Sequence, residues 1–112
     1  MDHFFFVNHE VLTQLHLNQP KQAWERLTSI DSSVPKTVVP RRVELMNRQA
    51  DTSLKLGDME QTCKYVELAG TSALQLGSDL RFSEASETHQ QMQLKWPYER
   101  SVKALAELFQ QG

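Results

Sequence analysis

Apolar residues recur along this chain at intervals of three and four, the spacing of one face of an α-helix. Met59, Thr62, Val66, Ala69, Ala73 and Leu76 make one such stripe. Phe82, Ala85, His89, Met92 and Trp96 make a second, and Tyr98, Val102, Leu105 and Phe109 a third. Nothing alternates with period two for long enough to form a strand. Proline and glycine cut the pattern into six predicted helices: about Phe4 to Leu17, Pro20 to Ile30, Pro40 to Leu56, Met59 to Leu76, Asp79 to Lys95, and Pro97 to Phe109. A looser linker with Ser32, Ser33 and Pro35 runs from Asp31 to Val39.

The punctuating residues suit their places. Pro20, Pro40 and Pro97 fit a first helical turn, where a missing N–H costs little. Gly57 and Gly77 fit the left-handed position that closes a helix. Asp58 with Gln61 three residues on has the form of a capping box. Short connections within each successive pair of helices predict antiparallel hairpins. A 39-residue period relates them: Asn18, Gly57 and Trp96 fall at equivalent turns, and Leu27, Val66 and Leu105 at equivalent core positions. Ala23, Thr62 and Ser101 are the small residues that close packing would need. The expected architecture is all-α, one domain over 1–112 with units at about 4–31, 40–77 and 79–110, and Leu54, Leu56, Val66 and Leu105 in its core.

Leu54-x-Leu56-Gly57-Asp58-Met59-Glu60, followed by Tyr65-x-x-Leu68-Ala69, resembles the middle of a tetratricopeptide repeat. Leu17-Asn18-Gln19-Pro20 with Ala23 resembles a second copy, and Pro35 falls where such repeats place a closing proline. The chain departs from the pattern at Thr62, where the family has Ala, at Ser53, where it has an aromatic, and in a period longer than the family's roughly 34 residues. The resemblance implies three hairpins stacked as a right-handed superhelical array. The tail is similar to something narrower. Arg81-x-Ser83-Glu84-Ala85, Met92, Trp96-Pro97, Glu99, Val102 and Leu105-Ala106-Glu107-Leu108-Phe109 look like the C-terminal end of helical-repeat regions in bacterial regulators that carry a Cro/XRE-type helix-turn-helix. No recognition helix of that type is visible, so the likeness implies the sensory or assembly part of a transcriptional regulator.

Composition narrows the function classes. Twelve Lys and Arg against fourteen Asp and Glu give a formal charge of −2, which offers no electrostatic reason to expect nucleic acid or an anionic membrane as partner. The lean hydrophobic fraction of 39% suits thin helical arrays in which every helix keeps one wet face. A single cysteine, Cys63, forms no internal disulfide, and no stretch reaches the roughly 20 apolar residues of a membrane helix. A cytoplasmic location is expected.

No residue set points to chemistry. His9, Glu10 and His16 lack zinc-site spacing, with Thr13 where a second ligand would stand. Cys63 beside Lys64 has no histidine placed to activate it and reads as a small core hydrophobe. Glu84 and Glu87 read as solvated surface. There is no phosphate-binding glycine loop and no nucleophile elbow. The expectation is a protein without catalysis, cofactor or metal.

The resemblance implies a different kind of site, a peptide groove along the first helices of the hairpins. The positions carried over are Asn8, His9, Leu12 and His16 in the first unit, Glu44, Asn47, Arg48, Asp51 and Lys55 in the second, and Ser83, Ser86, Glu87 and Gln90 in the third. Asn8 and Asn47 are equivalent, and their amides offer a donor and an acceptor to a peptide backbone. The expected function is binding of a protein or peptide partner. The alternatives are an obligate homo-oligomer and, less favoured, a bundle closing around a small molecule. Phe4, Phe5 and Phe6 bear on the oligomer: three consecutive residues about 100° apart cannot all face one core, so at least one should face outward and seat a second copy.

Overall fold

Proline and glycine set the boundaries as their backbone chemistry requires. The computed structural model describes residues 3–110; residues 1, 2, 111 and 112 of the expected 1–112 domain lie outside them. The helices are α1 (His3–His16), α2 (Pro20–Asp31), α3 (Pro40–Leu56), α4 (Met59–Leu76), α5 (Asp79–Lys95), α6 (Arg100–Ala104) and α7 (Ala106–Phe109), with no strand among the described residues. Pro20 and Pro40 open α2 and α3. Gly57 and Gly77 close α3 and α4 at φ of 78° and 73°, where a side chain is disfavoured. Asn18, the equivalent residue of the first turn, also has positive φ, at 58°. Asp58 caps α4 by accepting from the Gln61 N–H at 3.0 Å. The capping box is only half made, because the Gln61 side chain donates instead to Ser53 Oγ at 2.8 Å.

The C-terminal end departs from the expected helix Pro97 to Phe109. Trp96 precedes a proline, which excludes it from the helical region, so it adopts φ −129° and ends α5. Pro97 therefore sits in a turn, and Tyr98, expected on the core stripe, is 90% exposed. The helix that follows starts at Arg100 and breaks at Leu105. Beside that break stands buried His89. Its Nε2 lies 2.8 Å from the carbonyl of Val102, and a carbonyl only accepts, so this nitrogen carries the proton. Phe109 stacks on the same imidazole with ring centroids 5.1 Å apart.

Neighbouring units are tied to one another by side-chain bonds. Across α1, α3 and α5, Asn8 bonds Glu44, Arg48 bonds Glu84 and Lys95 bonds the Leu54 carbonyl, at separations of 36, 36 and 41 residues. Trp24 of α2 meets Tyr65 of α4 edge-on, and the tail residues Leu108 and Phe109 crowd Gly70 of α4. A methyl at Gly70 would lie 2.8 Å from Leu108 Cδ2, so the tail side chains would have to shift to admit it. Helix α3 thus packs between α1 and α5, while α2 and α4 meet through Trp24 and Tyr65. The smallest dimension of the molecule, 19 Å, is close to two helix diameters of about 10 Å.

Two apolar clusters fill the space between the helices. One joins Phe4, Val7, Val11 and Leu15 of α1 to Ala23, Leu27 and Ile30 of α2, with Val34 and Leu45. The other joins Ala50 and Leu54 of α3 to Val66, Met92, Val102 and Leu105. Of the expected core residues, Leu54, Val66 and Leu105 are buried, whereas Leu56 is half-exposed. Ser101, expected to pack, is exposed.

The central helix α3 keeps a partly exposed face through Glu44, Arg48, Asp51 and Lys55 and buries the rest of its surface. Nine of its side chains are buried, and five of those are polar: Arg42, Asn47, Gln49, Thr52 and Ser53. Arg42 organises the 31–39 linker. Its Nη1 donates to Asp31 Oδ1 at 2.6 Å, its Nε to the Pro35 carbonyl at 2.8 Å, and its Nη2 to the carbonyls of Asp31 and Val34.

Candidate functional site

Helix α3 is flanked by α1 and α5, so polar residues that sequence alone distributes over three helices meet along one face. Asn8 Nδ2 donates to Glu44 Oε1 at 3.0 Å, and Asn8 Oδ1 accepts from Arg48 Nε at 3.1 Å. Arg48 Nη2 reaches Glu84 Oε2 at 3.1 Å. Arg81 completes the lattice, with Glu84 on its own helix and with Glu44 at 3.5 Å. Two carboxylates and two guanidiniums, all less than a quarter exposed, thereby neutralise one another across three helices. Glu84, read from sequence as solvated surface, is a structural member of this lattice. Such a lattice fixes the spacing of the helices and rigidifies the face.

Beside it lies a cleft of about 120 Å³ between α3 and α5, lined by Asn47, Arg48, Asp51, Glu84, Glu87, Thr88 and Gln91. Four of the expected groove residues, Asn47, Arg48, Asp51 and Glu87, come together here. Asn47 is not the open clamp that its equivalence to Asn8 suggested. It is 2% exposed, its Nδ2 donates to the Arg81 carbonyl at 3.1 Å, and its Oδ1 has no donor. Lys55 bonds Asp51 Oδ1 one turn away at 3.0 Å and belongs to a separate surface depression with Asn18 and Pro20.

The remaining groove positions lie apart from this cleft. His9, Leu12 and His16 are exposed on α1, and Gln90 is exposed on α5. Ser83 and Ser86 line a different depression, with Ala73, Phe82 and Phe109. The sequence pattern places Arg81 only in the tail motif and gives Thr88 and Gln91 no part in the face. Arg81 lies three residues before Glu84, the spacing of neighbours on a helix, which was the available signal.

Cys63 is half-buried against the second apolar cluster. Burial pushes its thiol above the ordinary value, and the carboxylates of Glu67, Glu60 and Glu99 push it further the same way. All four effects disfavour the reactive thiolate. Native protein is therefore expected to react with a thiol reagent at neutral pH at least about tenfold more slowly than urea-unfolded protein, followed by absorbance. Equal rates would mean that Cys63 is accessible and ionised.

Among the described residues, no group of three or more His, Cys, Asp or Glu side chains is placed to hold a metal ion, and no helix is long and apolar enough to cross a membrane. Compared with protein-family models, curated proteins and solved structures, the chain matches none of them.

Proposed function

We propose that this chain is a tetratricopeptide-like interaction module that binds a protein or peptide partner across the α1–α3–α5 face and performs no catalysis. The observation that carries the reading is the polar lattice joining those three helices beside a cleft that Asp51 and Glu87 line with carboxylate oxygens. It is a rigid surface with hydrogen-bonding capacity left over, which lowers the ordering cost of binding. Bonds between successive first helices, joining residues 34 to 41 apart, are compatible with a stacked repeat. With the likeness of the tail to bacterial Cro/XRE-type regulators, we read the module as the cytoplasmic regulatory or assembly part of a transcriptional regulator, without direct contact to nucleic acid.

Peptides selected from a random library against the immobilised protein, then titrated into isotope-labelled protein, test this by NMR. Signals from Asn8, Arg48, Asp51 and Glu87 are expected to move together. Shifts confined to α2, α4 and α6, with the first helices silent, would remove the face from consideration.

One observation favours a second reading, self-association through α1. Phe4 is buried, but Phe5 and Phe6 are 65% and 55% exposed, and Leu12 is exposed on the same helix. An outward aromatic pair is the kind of surface a symmetric dimer covers. Sedimentation across a concentration series is expected to show a dimer that Phe5→Ser weakens. A monomer at high micromolar concentration, unaffected by that change, would retire it.

A further inference from the structure

We infer that α1 carries, on the side turned away from α3, a docking strip for an amphipathic helix of another protein, one with the apolar pattern of α2. The inference goes beyond the α1–α3–α5 face. Its residues lie about half a turn around α1 from Asn8, which bonds α3.

The chain itself shows what covers such a strip. Helix α2 lies along α3 in the opposite direction. Asp31 at its C-terminal end bonds Arg42 in the first turn of α3, and Pro20 at its start shares a surface depression with Leu56 at the end of α3. Between those ends, Leu45 is wholly buried in one cluster with Leu27 and Ile30 of α2, and Gln49 donates to Asp31 Oδ1 at 3.4 Å. Thr52, one turn further on, is wholly buried too.

The residues 39 positions earlier repeat that row on α1. Phe6 stands where Leu45 does, Glu10 where Gln49 does, Thr13 where Thr52 does, and Leu17 where Leu56 does. Steps of four, three and four keep them on one side of the helix. Here the row is open. Phe6 and Leu17 are 55% and 59% exposed, Thr13 is exposed, and Glu10 is half-exposed at the border, where Arg26 of α2 reaches it. Among the described residues no helix lies over it, so α1 presents uncovered the surface that α3 buries under α2. Phe5 and Leu12, also exposed, lie roughly a third of a turn away on another row.

The occupant must offer what α2 offers to α3, a small residue followed at four and seven positions by branched apolar ones, as Ala23, Leu27 and Ile30 are spaced. A second copy does not present that row, because these three residues are at most 1% exposed and the equivalent Thr62, Val66 and Ala69 of α4 are wholly buried. The acidic end of α2 has no cation to meet on α1, since exposed His3 replaces Arg42. Recognition therefore rests on the apolar row of the partner helix.

The probe is a synthetic peptide of the α2 sequence, residues 20–31, held helical by a hydrocarbon staple between exposed positions 21 and 25, because twelve residues alone are too short for a stable helix. Titrated into the isotope-labelled full chain, it should give saturable NMR shifts at the amides of Phe6, Glu10, Thr13 and Leu17, with dissociation in the high micromolar range. Phe6→Ser should weaken binding about tenfold, Phe5→Ser by less than about twofold, and a peptide carrying Leu27→Asp should not bind. Both protein variants change exposed side chains, and unchanged circular dichroism would show that the fold is kept.

No saturable shift, equal binding to the Phe6→Ser protein, or shifts at Leu45 and Gln49 in place of those on α1 would overturn the strip. So would a doubled mass of the peptide-free protein that Phe6→Ser abolishes, since the row would then be a seam between two copies. None of these results touches the signals of Arg48, Asp51 and Glu87, by which the α1–α3–α5 face is judged separately.

Discussion

Replacing Arg42 by alanine is expected to lower the stability of the folded chain by about 3 kcal/mol, a large share of what a domain of this size possesses. The Arg42 side chain is 6% exposed, and its guanidinium donates to one carboxylate and three backbone carbonyls. Hydrogen bonds from a charged donor contribute about 1.5–3 kcal/mol each, but their loss is not additive, because water enters the space left by the side chain. The carboxylate partner is itself 32% exposed, so it does not become a buried orphan charge. The loss is therefore set at the low end of the roughly 3–5 kcal/mol for breaking a buried pair.

Two further variants separate the causes. Arg42→Met keeps the packing of the stem and should recover little, whereas Arg42→Lys should recover a fraction through one or two bonds. Urea unfolding of the three proteins decides it. An Arg42→Met protein as stable as the parent would mean that the linker holds its shape without the guanidinium.

Acid gives an independent check on the same contact. Burial raises the Asp31 carboxyl, but hydrogen bonds and charge from Lys36 and Arg42 outweigh it and hold the group below its ordinary value. A depressed carboxylate contributes stability that is present above its unfolded value, near 3.9, and is lost as pH falls through the lower folded one. The parent should therefore lose stability below about pH 4 more steeply than Arg42→Ala, in which the contribution of Arg42 to the depression is gone and that of Lys36 remains.

Helix boundaries were legible because proline, glycine and asparagine act on their own backbone. Pro20, Pro40, Gly57, Gly77 and Asn18 each impose or tolerate a local geometry that needs no distant partner. The third turn misled for the same reason in reverse. Trp96 aligns with Gly57 in the period, but the following proline governs its backbone, so the last helix starts late and Tyr98 points to solvent.

What the sequence could not supply was pairing between helices. Arg42 lies two residues before Glu44, about 200° around the helix from the row of polar positions assigned to the face, and nothing local shows that it turns back on the 31–39 linker. Periodicity placed Asn47 correctly on α3, but its burial depends on how close α5 approaches, which is a property of packing. The same holds for Glu84. It reads as surface on its own helix, and only the arrival of Arg48 from α3 makes it part of a lattice.

The third hairpin provides the second large effect. Leu105→Ala is expected to cost about 2–3 kcal/mol, less than the upper end for a buried leucine because the site can partly collapse. Leu105 is 6% exposed and packs in the cluster of Leu54, Val66, Met92 and Val102, although it stands at the break between two short helices. Helices of five and four residues have little stability of their own, so they persist through what their side chains bury. Truncating Leu105 should thus act first on α6 and α7 and on the His89–Val102 bond, and only then on the rest. Native-state hydrogen exchange should show amides of 100–110 losing protection before those of α3 and α4. Helix α3 carries Leu45 in one apolar cluster and Leu54 in the other, so global unfolding should remain a single transition in urea. Uniform loss of protection across all helices would mean that the tail unfolds only with the whole. An unchanged urea midpoint would mean that the third hairpin is not packed through Leu105 at all.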